Sequence, residues 1–218
     1  RHLPLCRALH TPAHWSALPP YEREKILLRC AENVEAHFDR LLHLLIDESG
    51  STIIKARYEV LYTASAFRAA AGEARRLYAD TLPNEKPHRL SLVVREPLGV
   101  VLAISPFNAP LVLLAKMICF PLGAGNAVIA KPSEETPLIA VELAEVLHEA
   151  GLPPGAFNVV TGFGAECGEP LARHPAIRGI ALTGSTATGV RIGEIAIRSM
   201  KRLQLELGGK NPLLVLKD

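Results

Sequence analysis

The chain has 218 residues, of which 49% are apolar and 21% charged, and its formal net charge is +2. Such a composition is typical of a soluble globular domain with a sizeable core. The small net charge argues against nucleic acid and anionic membrane surfaces as partners, and the scattered histidines show no spacing that predicts a metal site.

Four cysteines are present, Cys6, Cys30, Cys119 and Cys167, and no pair forms a CxxC motif. This usage is unlike a small disulfide scaffold, so we expect a reducing, cytoplasmic location. The chain opens with Arg1 and has no charged-then-apolar leader. We therefore expect the true N-terminus, and any targeting signal, to lie upstream.

Residues 19–49 carry apolar side chains at three- and four-residue spacing and predict one long helix. Pro19 and Pro20 precede it and Gly50 follows it, as helix punctuation requires. A second helix follows. Its apolar face is predicted to contain Val60, Ala64, Phe67, Ala71 and Ala74. After a polar break at 83–87, the alternation at 90–95 predicts a strand.

The stretch 98–115 carries no charge and is nearly long enough to span a membrane. Pro106 and Pro110 would break a helix in its middle. We interpret this stretch as a buried strand, a loop and the start of a helix, and expect no membrane partner.

Strands and helices are then predicted to alternate. Strands are expected at 100–104, 127–130, 157–160, 180–182, 202–207 and 212–216, and helices at 111–122, 137–150 (capped by Thr136), 165–173 and 186–199. Alternation of this kind predicts an α/β fold, a Rossmann-like open parallel sheet with helices on both faces. An N-terminal helical layer precedes the sheet.

We expect one unit over residues 1–207, with 208–218 beginning a second domain. Within that unit, 1–81 would form the helical layer, 88–97 part of an oligomerisation strand region, and 98–207 the parallel sheet. Ligands of such sheets bind at the carboxyl ends of the strands. Every predicted strand from 100 to 207 ends in polar or glycine-rich residues, so we expect a site along that edge.

The usual dinucleotide fingerprint is absent, because no GxGxxG follows the first strand of the sheet. Gly162, Gly164 and Gly168 approach that spacing but follow the third strand, where a packing turn is an equal alternative. A helix beginning near Ala165 or near Thr186 could still hold a pyrophosphate at its N-terminus.

Four motifs together resemble the aldehyde dehydrogenase family over nearly the whole chain. They are Ser105-Pro106-Phe107-Asn108-Ala109-Pro110, Lys131-Pro132-Ser133-Glu134, Leu182-Thr183-Gly184-Ser185-Thr186 with Gly189, and Leu205-Glu206-Leu207-Gly208-Gly209-Lys210-Asn211-Pro212. The resemblance implies NAD(P)-dependent oxidation of a small aldehyde to a carboxylic acid through a cysteine thioester. It also implies a homodimeric or homotetrameric parent protein.

The resemblance also implies catalytic roles. Asn108 would donate its amide to the oxyanion of the tetrahedral adduct, although an asparagine in a proline-rich turn is an alternative. Glu206 would be the general base that activates the hydrolytic water, a role that burial would favour. A surface glutamate on a strand is the alternative there.

The cofactor-binding residues implied by the resemblance lie at the predicted strand ends. They are Ile104, Ser105, Pro106, Phe107, Lys131, Ser133, Glu134, Gly164, Gly168, Thr183, Gly184, Ser185, Thr188, Leu207 and Gly208. Lys131 and Glu134 would bind the adenosine ribose hydroxyls. A carboxylate there repels a 2′-phosphate and favours NAD, while Lys131 leaves NADP open. Ser185 and Gly184 would contact the pyrophosphate, with a simple helix cap as the alternative.

The nucleophilic cysteine that the resemblance implies would lie beyond Gly208, where the remaining residues contain no cysteine. We therefore expect this chain to be truncated and inactive alone. One alternative is a non-catalytic nucleotide-binding module. Another is a relative that reduces acyl phosphates or acyl-CoA, although a hydrolytic base such as Glu206 would be superfluous there.

Overall fold

The computed structural model describes residues 12–217, so residues 1–11, including Cys6, and Asp218 lie outside the described part. The α-helices are α1 (Pro12–Ala17), α2 (Pro20–Ala36), α3 (Phe38–Ser49), α4 (Ile53–Ala74), α5 (Pro110–Gly123), α6 (Leu138–Glu149), α7 (Glu169–Arg173) and α8 (Thr186–Ile197). The strands are β1 (Asp80–Leu82), β2 (Ser91–Val93), β3 (Val100–Ile104), β4 (Ala127–Lys131), β5 (Phe157–Val159), β6 (Ile177–Thr183) and β7 (Arg202–Glu206). A π-helix, Gly164–Gly168, precedes α7.

The central sheet has five parallel strands in the order β5-β4-β3-β6-β7, which confirms the predicted α/β class. Successive side chains of a strand point to opposite faces, so the sheet separates two cores. Ala103 and Val128 belong to the core beneath α2 to α6, whereas Leu102 and Ile129 belong to the core beneath α7 and α8. Helices on both faces explain why β3 and β4 are apolar and buried.

The predicted helix over 19–49 is two helices, α2 and α3, which meet at His37. His37 leaves helical geometry at φ −96° and ψ 22°. The apolar spacing continues through this break because both helices bury their apolar side in one core, so the spacing alone could not reveal it. The expected buried face of α4, which includes Val60 and Phe67, is confirmed.

Buried hydrogen bonds connect the helical layer to α5, which packs on the sheet. The Trp15 indole donates to the carbonyl of Leu122, with Nε1 and O 3.0 Å apart. The Arg23 guanidinium donates to the carbonyl of Gly123, with Nε and O 3.1 Å apart. Both bonds satisfy carbonyls of the last turn of α5, which have no partner within the helix.

Two helices of the sheet layer have their N-termini capped by glutamates from the helical layer. The Glu59 carboxylate accepts hydrogen bonds of 3.1 Å from the N–H groups of both Leu111 and Val112, in the first turn of α5. Glu59 is fully buried, and Lys55 Nζ lies 2.9 Å from its other oxygen. A carboxylate at this position also interacts favourably with the positive end of the helix dipole.

The second such cap corrects the prediction that Thr136 caps α6. The helix begins at Leu138, and no side chain of the adjoining loop caps it. Glu48 of α3 accepts from the N–H groups of Leu138 and Ile139 at 2.5 and 2.9 Å. Thr136 Oγ1 is buried without a hydrogen-bond partner among the described residues. A cap from 90 residues away in sequence leaves no local signal.

Strands β1 and β2 form a separate antiparallel pair. The strand predicted at 90–95 is therefore confirmed as β2, but β1 was not predicted and overlaps the end of the range 1–81 that was expected to form the helical layer. Three residues are too few to show a periodic pattern. The strand predicted at 212–216 is wrong, because residues 207–217 form no strand and Leu213 to Leu216 are exposed. A short apolar run alone does not make a strand where no partner strand lies alongside.

The uncharged stretch 98–115 forms β3, a loop and the first turn of α5, as expected. Within residues 12–217, no helix combines the length and the apolar character that crossing a membrane requires.

We expect Glu59→Ala to destabilise the chain by about 3 kcal/mol, because it leaves two buried N–H groups of α5 without an acceptor. Urea unfolding followed by circular dichroism would measure this loss. The matched control is Glu35→Ala, which removes an exposed pair with Arg68 and should cost about 1 kcal/mol or less. Equal losses for the two variants would contradict the capping role of Glu59.

Candidate functional site

The ends of four neighbouring strands lie level with one another at one edge of the sheet. Ile104, the last residue of β3, pairs with Lys131 of β4 and with Leu182 of β6. Thr183 pairs in turn with Glu206 at the end of β7. Because the strands are parallel, the loops that follow them leave the sheet at the same edge.

These loops enclose an open cleft of about 630 Å³. Its lining comprises Ile104, Ser105, Pro106, Phe107, Lys131, Ser133, Glu134, Glu135, Gly164, Ala165, Gly168, Glu169, Thr183, Gly184, Ser185, Ala187, Thr188, Arg191 and Ile192. Every residue expected to bind a cofactor is in this set except Leu207 and Gly208. The structure therefore brings together residues that are up to about ninety positions apart in the sequence.

The loop after β3 begins inside the protein and ends at its surface. Ser105 is 3% exposed, and its backbone N–H donates to the Lys131 carbonyl at 3.2 Å. Its hydroxyl oxygen is buried without a partner among the described residues. Phe107 and Asn108 are exposed, and α5 begins two residues later at Pro110. The Glu59 carboxylate, which accepts hydrogen bonds from the first turn of α5, thus holds in place the helix that follows this loop.

Lys131 and Glu134 form an ion pair at the end of β4. Lys131 is 4% exposed, and its Nζ lies 3.1 Å from Glu134 Oε2. A backbone hydrogen bond from the N–H of Glu134 itself, and then the hydrogen bond from Lys131, hold the pKa of the Glu134 carboxyl below its usual value. Lys131 is thus a buried cation at the wall of the cleft, and Glu134 is an ionised carboxylate at its rim.

The glycine-rich loop after β5 reaches the cleft through Gly164 and Gly168. Gly162 adopts a φ of 139°, a conformation that side chains rarely tolerate. The predicted helix at 165–173 is present as the π-helix Gly164–Gly168 followed by the short α7. A Cβ atom on Gly164 would meet nothing within 4 Å, so the backbone there is open to a ligand.

The N-terminus of α8 faces the same cleft. Ser185 is its N-cap and accepts from the N–H of Thr188 at 3.1 Å, so the helix-cap interpretation of Ser185 is correct. Gly184 donates its N–H to the Glu206 carbonyl at 3.0 Å. The N–H groups in the first turn of a helix lack intrahelical acceptors and attract anions. Since α7 is only five residues long, α8 is the better anion site of the two helices considered.

Four residues singled out from the sequence lie outside the cleft lining. Asn108 and Glu206 are both exposed, and the position of Glu206 agrees with the surface alternative, because β7 is an edge strand of the five-stranded sheet. Leu207 packs on α8, where a Cβ atom on Gly189 would come within 2.4 Å of its side chain. A Cβ atom on Gly208 would likewise come within 3.3 Å of the Thr186 hydroxyl oxygen.

Several cleft residues were not expected from the sequence. They are Glu135, Ala165, Glu169, Ala187, Arg191 and Ile192. Helical spacing could have revealed two of them, because Arg191 and Ile192 follow Thr188 by three and four residues and so share its side of α8. Glu169 has no such signal, since its proximity depends on how α7 lies against α8.

The cysteines within the described residues are free, and none is suited to nucleophilic catalysis. Burial raises the pKa of the Cys30 thiol to about 12 and that of Cys119 well above its usual value. Cys167 is half-buried, donates to the Phe163 carbonyl at 3.2 Å, and has its pKa raised by burial. A reactive thiol requires a lowered pKa.

An open parallel sheet with its cleft at the strand ends is typical of nucleotide-binding α/β proteins. The model of the aldehyde dehydrogenase family matches residues 5–218. The chain therefore belongs to the aldehyde dehydrogenase family.

Individual relatives agree with this assignment. The chain is 46% identical to phenylacetaldehyde dehydrogenase of Pseudomonas fluorescens over 211 residues, covering 94% of this chain and 42% of that protein. It is 41% identical to the NADP/NAD-dependent aldehyde dehydrogenase PuuC of Escherichia coli K12, covering 100% of this chain and 44% of that protein. The crystal structure of PnpE in complex with nicotinamide adenine dinucleotide superposes with a TM-score of 0.92 at 40% identity, covering 95% of this chain and 43% of that one. The chain thus spans less than half the length of these relatives.

The lowered pKa of Glu134 predicts a pH-dependent contribution to stability. A carboxyl with a folded pKa below its unfolded value stabilises the fold above about pH 4.5, its ordinary value, and loses this effect as the pH falls through the folded pKa. We expect Glu134→Gln to lower the unfolding free energy at neutral pH and to match the wild-type chain in acid. Urea titrations across this range would test it, with Glu135→Gln as the exposed, adjacent control. A pH-independent difference would contradict the prediction.

Proposed function

We propose that the whole protein is an NAD(P)-dependent aldehyde dehydrogenase, which oxidises an aldehyde to a carboxylic acid, and that this chain is its cofactor-binding part. One observation carries the proposal. The cleft at the ends of β3, β4 and β6 is lined by the residues that the family motifs assign to the cofactor, apart from Leu207 and Gly208. The names of the relatives, including an NADP/NAD-dependent enzyme, support the same activity.

The cleft suits a dinucleotide in several respects. Ser105, which follows β3, lines the cleft, and its hydroxyl oxygen is buried without a hydrogen-bond partner among residues 12–217. The open backbone at Gly164 allows close approach. Lys131 and Glu134 would hold ribose hydroxyls, and the N-terminus of α8 would hold the pyrophosphate. When bound, the cofactor would accept the hydride of the aldehyde.

The catalytic residues that this chain would supply are Asn108 and Glu206. The Asn108 amide would donate to the oxygen that becomes negative in the tetrahedral adduct. The Glu206 carboxylate would take a proton from the water that attacks the thioester. Glu206 pairs with Thr183, which lines the cleft, so the proposed base adjoins the proposed cofactor site. Both side chains are exposed and therefore accessible to a substrate held by the rest of the protein.

The nucleophilic cysteine of the whole protein would lie in the part that the relatives have beyond this chain. Cys30 and Cys119 are buried, and Cys167 lies at the glycine-rich loop, which would hold the adenine end. We therefore propose that the chain binds cofactor but does not oxidise aldehydes alone. Strands β1 and β2, which are exposed except at the half-buried Ser91, are the proposed contact region of a homodimer or homotetramer.

NAD is the proposed cofactor in preference to NADP. The charged side chains that line the cleft are two cations, Lys131 and Arg191, and three carboxylates, Glu134, Glu135 and Glu169. Among these lining side chains the carboxylates outnumber the cations by one, which disfavours the added charge of a 2′-phosphate. NADP is the second candidate, because both cations stand in the wall of the cleft.

We expect Lys131→Met to weaken NAD binding by this chain about tenfold, because a buried charge-assisted hydrogen bond to the ribose would be lost. Isothermal titration calorimetry on the purified chain would measure the Kd. Lys116→Met is the matched control, since Lys116 lies on α5 over the Tyr62 ring and away from the cleft. A wild-type chain that folds but does not bind NAD would contradict the proposed cofactor site.

In the protein expressed with its downstream coding sequence, we expect Asn108→Ala to lower kcat about a hundredfold while leaving the Kd of NAD unchanged, because only an oxyanion donor is removed. NADH formation with a panel of aldehydes would measure it, with Asn84→Ala in the exposed loop after β1 as control. Wild-type kcat in the variant would refute the role of Asn108. A wild-type protein that contains a downstream cysteine, binds NAD and yet oxidises no aldehyde would favour a non-catalytic nucleotide-binding module.

A further inference from the structure

An ion pair between two helices forms part of the cleft wall, and so far only its charges have entered the argument. Arg191 of α8 contacts Glu169 of α7 through two parallel hydrogen bonds, Nε to Oε1 at 2.9 Å and Nη2 to Oε2 at 3.1 Å. Both residues line the cleft. This two-point geometry orients the guanidinium plane as well as neutralising its charge.

The pair lies at the end of the cleft where the adenosine is proposed to bind. Gly164, Ala165 and Gly168, in the turn that leads into Glu169, line the same cleft, and Lys131 lies beneath Gly168, whose added Cβ would be 3.9 Å from Lys131 Cδ. Arg191 therefore shares this end with the residues proposed to hold the ribose. Any role of Arg191 in cofactor binding rests on that proposed function.

The two cations of the cleft differ in their freedom to meet a ligand. The Lys131 side chain is 5% exposed and tied to Glu134, whereas the Arg191 side chain is 56% exposed. Arg173 also contacts Glu169, with Nη2 and Oε2 3.3 Å apart. If Arg191 turned away from Glu169, the Glu169 carboxylate would still be paired with Arg173. The movement would therefore not leave this carboxylate without a cationic partner.

We infer that Arg191 is a specificity-determining residue for the cofactor, which attracts the 2′-phosphate of NADP, and that Glu169 competes with this phosphate for the same guanidinium. A phosphate monoester presents several acceptor oxygens and nearly two negative charges at neutral pH, and it binds the planar guanidinium fork as a carboxylate does. NAD has a hydroxyl at this position and gains little from the cation. The Arg191–Glu169 pair thus sets how far the cleft discriminates against NADP.

The test compares the Kd values of NAD and NADP for the purified whole chain by isothermal titration calorimetry. In Arg191→Leu we expect the Kd of NADP to rise about threefold, because an exposed pair is lost, while the Kd of NAD stays unchanged. In Glu169→Gln we expect the Kd of NADP to fall by a similar factor. Arg198→Leu, at the C-cap of the same helix and outside the cleft lining, should leave both values unchanged.

The opposite signs of the two variants separate this role from a structural one. A guanidinium that only braces α7 against α8 would weaken both cofactors together in either variant, and that result would overturn the inference while the proposed function stands. A ratio of the NADP Kd to the NAD Kd that is unchanged in both variants would also overturn the inference. Both expected effects should shrink at high ionic strength, because the charges are exposed. If the folded wild-type chain, verified by circular dichroism, binds neither cofactor, the proposed function and this inference fail together.

Discussion

The parallel alignment of the strand ends is the constraint on which the cleft depends. Ile104 lies level with Lys131 and Leu182, and Thr183 lies level with Glu206. For β3, β4 and β6 this register is fixed by the two buried faces, because a slip of one residue would transfer each apolar side chain to the opposite core. Strand β7 is exposed and is aligned by its pairing with β6. The loops that carry the polar residues therefore leave the sheet together, and the chemistry of the cleft follows from the packing of the two cores.

The helical layer contributes to the cleft although none of its residues lines it. The Glu59 carboxylate, buried beneath α5, accepts hydrogen bonds from the helix turn that ends the loop containing Asn108. Glu48 does the same for α6, which follows the loop of Lys131 and Glu134. Both caps couple the first helices to the loops at the strand ends. The stability of the N-terminal layer and the geometry of the proposed site are thus linked by the same hydrogen bonds.

The electrostatics of the cleft are arranged in compensated pairs. Lys131 is paired with Glu134, and Arg191 with Glu169, so the wall presents cations whose charge is already partly satisfied. A ligand phosphate must compete with these carboxylates for the same cations. The affinity for such a ligand therefore depends on a small difference between two similar interactions. Such pairs are better suited to discriminating between related ligands than to raising affinity overall.

The sequence by itself determined the α/β class, the strands β2 to β7 and the edge of the sheet at which the cleft lies, because apolar strands and polar strand ends are local patterns. Its family resemblance supplied most of the individual residues of the cleft lining. The sequence did not determine the break at His37, the caps by Glu48 and Glu59, the strand β1, or the entry of Glu169 and Arg191 into the cleft. Those features arise from contacts between segments distant along the chain or from runs too short to be periodic. Likewise, the exposure of Glu206 was decided by the position of β7 at the sheet edge, since the order of strands is set only when the whole sheet assembles.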